Sequence, residues 1–552
     1  MNYHEFMEAV DKKLALMSEA EKSGWIHNMA RTRSEHERAA FLNSLMGKQE
    51  HFPVISEREW IEAWCRKIDN QEIYFECSYE EYGGDYWGSD DVYEYTDIFE
   101  IGKDLLRAFK IAEGLLFQKD YSRAAALYDR LCRLSFPTLE DETEEWSELS
   151  LEELVSEGLV SLNLKQIALN LLYARYQAAE GRERSAALYT YLAWDMCKNI
   201  SIEELFTAGP EELKGLDVFM EEWLDFLKDI PGDRAGDLLI EACLCRGGIV
   251  RLCDVAKEVC TRHPILYKYA CDYLLNGNKA LECERVGLEA LGMLPEQLIV
   301  RGKIAAITAK AAEQLEHPDI LRQCWEAAFY SEPTLNHYLQ LFELPDHRNI
   351  ADRAANYAKT LPERPSTAEG YNNRQMLVNH LSREHKAVIR FFNREFAAIY
   401  EECKKNKTAL GWSSDFKGLA VPLFVLLLSK NKEITKAGEK LINGIDYRLG
   451  FEEEEGADFR ELFLRWKEKA ILTDEEYERY IEWLKKEVDI RTEAVVGGGH
   501  RKSYYKAAAL VAFLGETLES NGMANGRRIL IEHYTKMHPR KRAFKGEFEM
   551  LK

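Results

Sequence analysis

Two cysteine-containing phrases come first among the residues able to do chemistry. Cys243-Leu244-Cys245 precedes Cys260-Thr261-Arg262-His263 by a short spacer. Three thiolates and an imidazole make a ligand set for a tetrahedral zinc ion. The spacer argues otherwise: Ile249, Val250, Leu252, Cys253, Val255 and Ala256 recur at helical spacing, where a zinc ribbon needs turns. The expectation is therefore buried structural cysteines and no bound metal. His380, Glu384 and His385 read HxxxEH, one residue longer than the HxxEH of an inverted zinc-peptidase motif, and histidines five apart do not share a helix face. A solvated helix face is the plainer reading. No GxxxxGKS/T, no GxSxG and no GxGxxG between a strand and a helix is present. No enzyme class and no cofactor has positive support.

Two other stretches could bind without catalysis. Residues 71–100 carry ten acids, six tyrosines, two phenylalanines and Trp87, with no Lys or Arg. Gly83, Gly84 and Gly88 interrupt any helix, so the stretch reads as a loop or short extended segment crossing the surface. Its rings either pack on a neighbouring helical unit or form a strip for a basic partner protein through Tyr82, Tyr86, Trp87, Asp90, Asp91 and Tyr93. Asp85, Asp90 and Asp91 do not alternate as the ligands of an EF-hand loop do. Near the C-terminus, His500, Arg501, Lys502 and Lys506 follow three glycines, and Arg540, Lys541 and Arg542 come later. Cations beside the amides of a helix start suit an anion, so Arg501, Lys502, Arg540, Lys541 and Arg542 are the candidate anion-binding residues. The competing reading is that they cap helix ends and balance an acidic body.

Composition bounds these options. At 552 residues, 46% hydrophobic and 30% charged, the chain can bury a large core, and 13 prolines with few β-branched clusters favour helix. A formal charge of −22 disfavours broad nucleic-acid affinity and adsorption on anionic membranes. The longest strongly apolar run, Leu419 to Leu428, is far short of the roughly 20 residues that span a bilayer. Cys132, Cys197, Cys253 and Cys324 sit on apolar helix faces, as reduced cysteines do. The N-terminal residues have no apolar core of a signal peptide. A cytoplasmic protein is expected, with its oligomeric state left open.

The elements that must position such sites read as helical hairpins. In residues 102–134, Leu105, Leu106, Phe109, Ala112, Leu115 and Leu116 recur at helical spacing. After Gln118-Lys119-Asp120, a second helix carries Ala124, Ala125, Leu127, Tyr128, Leu131 and Cys132. One such unit cannot cover its own apolar face, so neighbours must stack on it. A second hairpin spans Ile167–Cys197, with Ala168, Leu171, Leu172 and Tyr176 facing Ala186, Ala187, Tyr189 and Leu192. Capping boxes are expected at Ser56/Glu59, Ser150/Glu153, Ser201/Glu204 and Thr473/Glu476, and helix stops at Pro295 and Pro333. Trp25, Trp60 and Trp64 are the docking residues of an N-terminal cap. Residues 420–428 should form the most buried helix of their half, Glu452–Glu455 an exposed acidic run, and Val495–Gly499 a flexible connector. This gives an N-terminal helical cap (1–70), an acidic-aromatic insertion (71–100), helical repeats (101–345), a second helical region (350–490) and a basic C-terminal hairpin (500–552). The class is all-α, a degenerate helical-repeat solenoid.

Three phrases, Trp325–Leu341, Leu410–Leu423 and Tyr504–Phe548, resemble the helical-repeat region of uncharacterised bacterial proteins that carry a SWIM zinc finger. The resemblance covers the C-terminal half and implies a tetratricopeptide-like helical fold with nothing catalytic. A SWIM finger needs CxC followed by CxH, and Cys260-Thr261-Arg262-His263 is one residue too long. The function expected is a non-enzymatic protein-interaction scaffold. The alternatives are a nucleic-acid-associated accessory protein using the basic C-terminus, and an enzyme with an unrecognised site.

Overall fold

The computed structural model describes residues 57–551 except 83–89, 141–143, 371, 410–414 and 451–457, together with residues 12, 13, 17, 18, 22 and 29. Trp25, Ser56, Tyr86, Trp87 and the run Glu452–Glu455 lie outside the described residues. The structure is mostly helical, as the composition and periodicity required. It divides into two compact units, residues 1–230 with 237–248 and residues 231–236 with 249–552.

In the first unit, α1 (Glu57–Asp69) leads into strands β1 (Phe75–Tyr82) and β2 (Asp90–Thr96). Helices α2 (Ile101–Phe117) and α3 (Tyr121–Cys132) follow, then strands β3 (Phe136–Glu140) and β4 (Trp146–Leu149). Five helices complete it: α4 (Leu151–Ser156), α5 (Leu164–Ala178), α6 (Glu183–Leu192), α7 (Ile202–Leu205) and α8 (Leu216–Asp229). The α2–α3 hairpin turns at Lys119, in the left-handed region with φ 65°, and Asp120 caps α3. Leu105, Ala108, Phe109, Ala112 and Leu116 are buried on α2, and the Phe109 and Tyr128 rings meet at 6.1 Å. Leu106 and Leu115 are half-buried, at the edge of that stripe. Trp64 is buried, and Trp60 stacks on it at 6.2 Å with the Arg107 guanidinium 4.1 Å from its ring, so Trp60 fastens α1 to α2.

Burial on α6 falls on Ser185, Leu188, Tyr191 and Leu192, while Ala186 is exposed; the packed face is rotated from the one expected. The cause is Arg184, whose guanidinium donates to the carbonyls of Tyr176, Ala179 and Lys214 and sets the helix's rotation. Three capping boxes form with reciprocal bonds, at Ser150/Glu153, Ser201/Glu204 and Thr473/Glu476.

Of the two readings of residues 71–100, loop or short extended segment, the extended one holds: the stretch is a hairpin within a four-stranded sheet of order β2-β1-β3-β4. β1 pairs antiparallel with β2 and parallel with β3, and β3 pairs antiparallel with β4. Phe75 and Cys77 point inward in the period-2 pattern of a half-buried strand, and in β3 Phe136, Pro137 and Thr138 are all buried. Tyrosine-rich segments favour strand, and the glycines that suggested a loop fall in the connection between the arms, residues 83–89.

In the second unit, α9 (Asp233–Val259), which contributes to both units, leaves helical geometry at Gly248 (φ 62°, ψ −154°). Four helices then pack in sequence: α10 (Ile265–Asn276), α11 (Ala280–Met293), α12 (Ile299–Gln314) and α13 (Pro318–Ser331). α11 and α13 end just before Pro295 and Pro333. Next come α14 (Leu335–Gln340), α15 (His347–Thr360), α16 (Arg383–Phe392) and α17 (Phe396–Lys405). The core helix α18 (Lys417–Leu428) has ten buried residues and packs against α19 (Lys436–Leu449) and α21 (Asp474–Thr492), with α20 (Phe459–Lys469) in the same core. The chain closes with α22 (Tyr504–Ser520), α23 (Gly526–Met537) and α24 (Arg542–Met550).

The residues read as a flexible connector are not loose. Glu493–Gly497 continues α21 as a π-helical turn, with Val495 and Val496 buried, because two apolar side chains at this point have core to enter. Beyond it, α22 and α23 approach closely at Gly515, where a methyl group would lie 2.5 Å from the Arg527 Cα. Gly515→Ala should therefore lower stability by about 1–3 kcal/mol in chemical denaturation, despite alanine's better helix propensity. An unchanged midpoint would show that the hairpin can spread without cost.

Candidate functional site

The sheet carries the most exposed aromatic surface of the first unit. Tyr74, one residue before β1, has the same parity as Glu76, and β-pairing places Glu76 beside Leu139 and Leu139 beside Trp146 on one outward row. There the rings of Phe99 and Trp146 meet Tyr74 edge-on at 5.1 and 5.3 Å. Trp146 is 44% exposed and Phe99 37%, with Ile98 beside them at 48%. Such exposed clusters of large rings mark interaction surfaces more often than chance does. Both segments that build the sheet, residues 71–102 and 134–164, contain no Lys or Arg and together hold nineteen acids. One of them is structural: Asp97 accepts the Ile101 and Gly102 amides at 2.8 Å and caps α2.

Of the strip residues singled out from sequence, Tyr93 is 49% exposed and pairs with Tyr79 across β1 and β2. Tyr82, Asp90 and Asp91 lie at the end of the hairpin next to its connection, with Tyr82 opposite Asp90 and Glu81 opposite Asp91. Tyr86 and Trp87 lie outside the described residues. The structure adds Tyr74, Phe99 and Trp146. The first two fall in the acidic-aromatic stretch, but Trp146 is more than 40 residues on and joins them only through the β1–β3–β4 pairing.

Of the C-terminal cations, Arg501 and Lys502 directly precede α22, after the glycine turn. The amides of Gly498, Gly499 and His500 donate to the carbonyls of Glu493, Val496 and Val495, and the Arg501 amide to Gly499. These four N–H groups are bonded within the turn that precedes α22. Lys541 does approach the glycines, its Nζ 3.6 Å from where a Gly499 Cβ would sit. A carboxylate already stands close by: Glu493 lies 3.7 Å from the Nε2 of His538. Arg501, Lys502, Arg540 and Arg542 are exposed. Arg527, by contrast, is built into the hairpin, 3.0 Å from Glu516 and donating to the Leu551 carbonyl.

The histidine and cysteine phrases are structural. His385 bonds Ser382 Oγ and the Leu449 carbonyl, and Glu384 pairs with Arg448. Cys243, Cys260 and His263 are buried, and the Cys245 thiol donates to Glu203 at 3.2 Å. Among the described residues, no three His, Cys, Asp or Glu side chains come together as metal ligands. Burial pushes the thiols of Cys324 and Cys403 up to about 12, away from reactive thiolate character. Among the described residues, no helix is long and apolar enough to cross a membrane. No family model matches the chain, and neither does any curated protein.

Proposed function

We propose that the chain is a cytoplasmic protein-interaction scaffold of degenerate tetratricopeptide-like hairpins, docking a basic partner protein on the acidic-aromatic sheet. The observation that carries this reading is the exposed Phe99 and Trp146 rings, packed on the half-buried Tyr74, on a sheet whose two parent segments hold no cation. Large rings supply most of the affinity at an interface, while surrounding carboxylates speed encounter with a basic surface and select against acidic ones. The sheet's edges, β2 and β4, also leave backbone groups for an added extended strand. Successive hairpins such as α2–α3, α5–α6, α10–α11 and α12–α13 fit repeats that stack neighbour on neighbour.

The test is calorimetric titration of the full chain with a short peptide of alternating lysine and leucine, and with its glutamate–leucine counterpart. Saturable binding of the basic peptide alone is expected, weakening as salt shortens the screening length below about 8 Å. Equal binding of both peptides, or of neither, would contradict the reading.

A further inference from the structure

Among α18, α19, α21 and α22 of the second unit lies a cleft of about 550 Å³, a volume typical of small-molecule sites. Helical spacing builds its walls. Gly418 and Pro422 sit one turn apart on α18, Lys440, Gly444 and Arg448 occupy successive turns of α19, and Lys506 and Leu510 do so on α22. Four lining residues are cationic, namely Lys440, Arg448, Arg491 and Lys506, and among the described residues none is acidic. In a chain of 95 acids and 73 lysines and arginines, this is a local inversion of sign.

The four cations are not equivalent. Arg448 donates to the Asp415 carbonyl at 2.8 Å and is ion-paired with Glu384, while Arg491, 7% exposed, donates to the Ala409 carbonyl at 3.1 Å with the Asp415 carboxylate acting on it, so the charge of both is largely balanced within the wall. Lys440 and Lys506 have no carboxylate partner among the described residues, and Lys506 lies 5.8 Å from the Tyr505 ring. Between the charges the lining is apolar, with Leu419, Leu441, Ile445 and Leu510. Pro422 has no N–H to give the Gly418 carbonyl, and both residues line the cleft. Gly444 meets nothing within 4 Å of where its Cβ would be, and the cleft is open there.

We propose that this cleft binds a small organic anion, a phosphate or carboxylate carried on an apolar body, with Lys440 and Lys506 taking the charged head and Leu419, Ile445 and Leu510 the body. Lysines lining one cleft can each give an anion a charge-assisted bond, while the apolar lining supplies burial. The inference concerns a different unit from the proposed docking sheet and stands without it.

Calorimetric titration of the full chain with 2-naphthyl phosphate and with 2-naphthoate tests it, the tighter of the two naming the head group. Saturable binding of at least one is expected, with inorganic phosphate and 2-naphthylmethylamine each weaker by about tenfold or more. Lys440→Ala with Lys506→Ala should weaken the binding by about tenfold. Gly444→Leu, which fills the opening with a better helix former, should abolish it while the circular dichroism spectrum stays unchanged. Failure of both naphthyl anions to bind the wild-type protein would overturn the proposal. So would amine or bare phosphate binding as tightly, or unaltered binding in the folded Gly444→Leu protein.

Discussion

Replacing Lys417 by methionine should destabilise the protein by about 3–5 kcal/mol, because it strands a buried carboxylate. Lys417 is 2% exposed, and its Nζ lies 2.7 Å from Glu487 Oε2 and donates to the Asn406 carbonyl at 2.7 Å. The other Glu487 oxygen accepts the Trp483 indole N–H at 3.0 Å. Within this cluster the attraction offsets the loss of hydration only while both charges are present. Lys417→Met with Glu487→Gln keeps an acceptor for Trp483 and removes the stranded charge, and should recover about 1–3 kcal/mol of the loss. Denaturant titration of the two single variants and the double variant measures the coupling. Additive losses would show that the pair contributes nothing beyond its separate side chains.

Trp466→Ala should cost about 3–5 kcal/mol through its cavity alone. The indole is 1% exposed and meets Phe392 at 4.6 Å, Phe391 at 5.6 Å and Phe463 at 5.8 Å. Its N–H also donates to the Phe392 carbonyl at 2.9 Å, inside the buried core. Losing that donor leaves an unpaired acceptor, worth about 1–3 kcal/mol more. Trp466→Phe retains most of the volume and should fall well between alanine and wild type. A Trp466→Ala protein as stable as wild type would mean that the cluster around α18 collapses onto the gap.

Local rules carried most of the fold. Helical periodicity located α2 and α3, Ser150/Glu153 and Thr473/Glu476 located helix starts, and an apolar run located α18, because each of these signals lies within a turn or two of chain. The α6 face depended on Arg184 reaching Lys214, 30 residues away, and no local pattern reports that. The sheet was hidden for a similar reason. Phe75–Cys77 finds its parallel partner in Phe136–Glu140, on the far side of two helices. Val495 and Val496 looked like part of a glycine-rich linker, yet two apolar residues with a core at hand will bury.

The sites were legible in type and not in membership. Residues 71–100 announced an acidic, aromatic surface, and Tyr74 and Phe99 lie within them. Trp146 joins only through strand pairing. The cleft had no sequence signature at all, since Lys440, Arg491 and Lys506 come from three helices and each looks like an ordinary surface cation. In the sequence Lys506 belongs to a basic C-terminal run.

The account turns on the docking sheet, and one measurement addresses it directly. The lysine–leucine peptide is titrated into the Phe99→Ser, Trp146→Ser protein and into wild type under identical conditions. Both rings are substantially exposed, so the double variant should unfold at close to the wild-type midpoint. The account predicts that the peptide's Kd rises by about tenfold or more. A folded double variant that binds the peptide as tightly as wild type would contradict it.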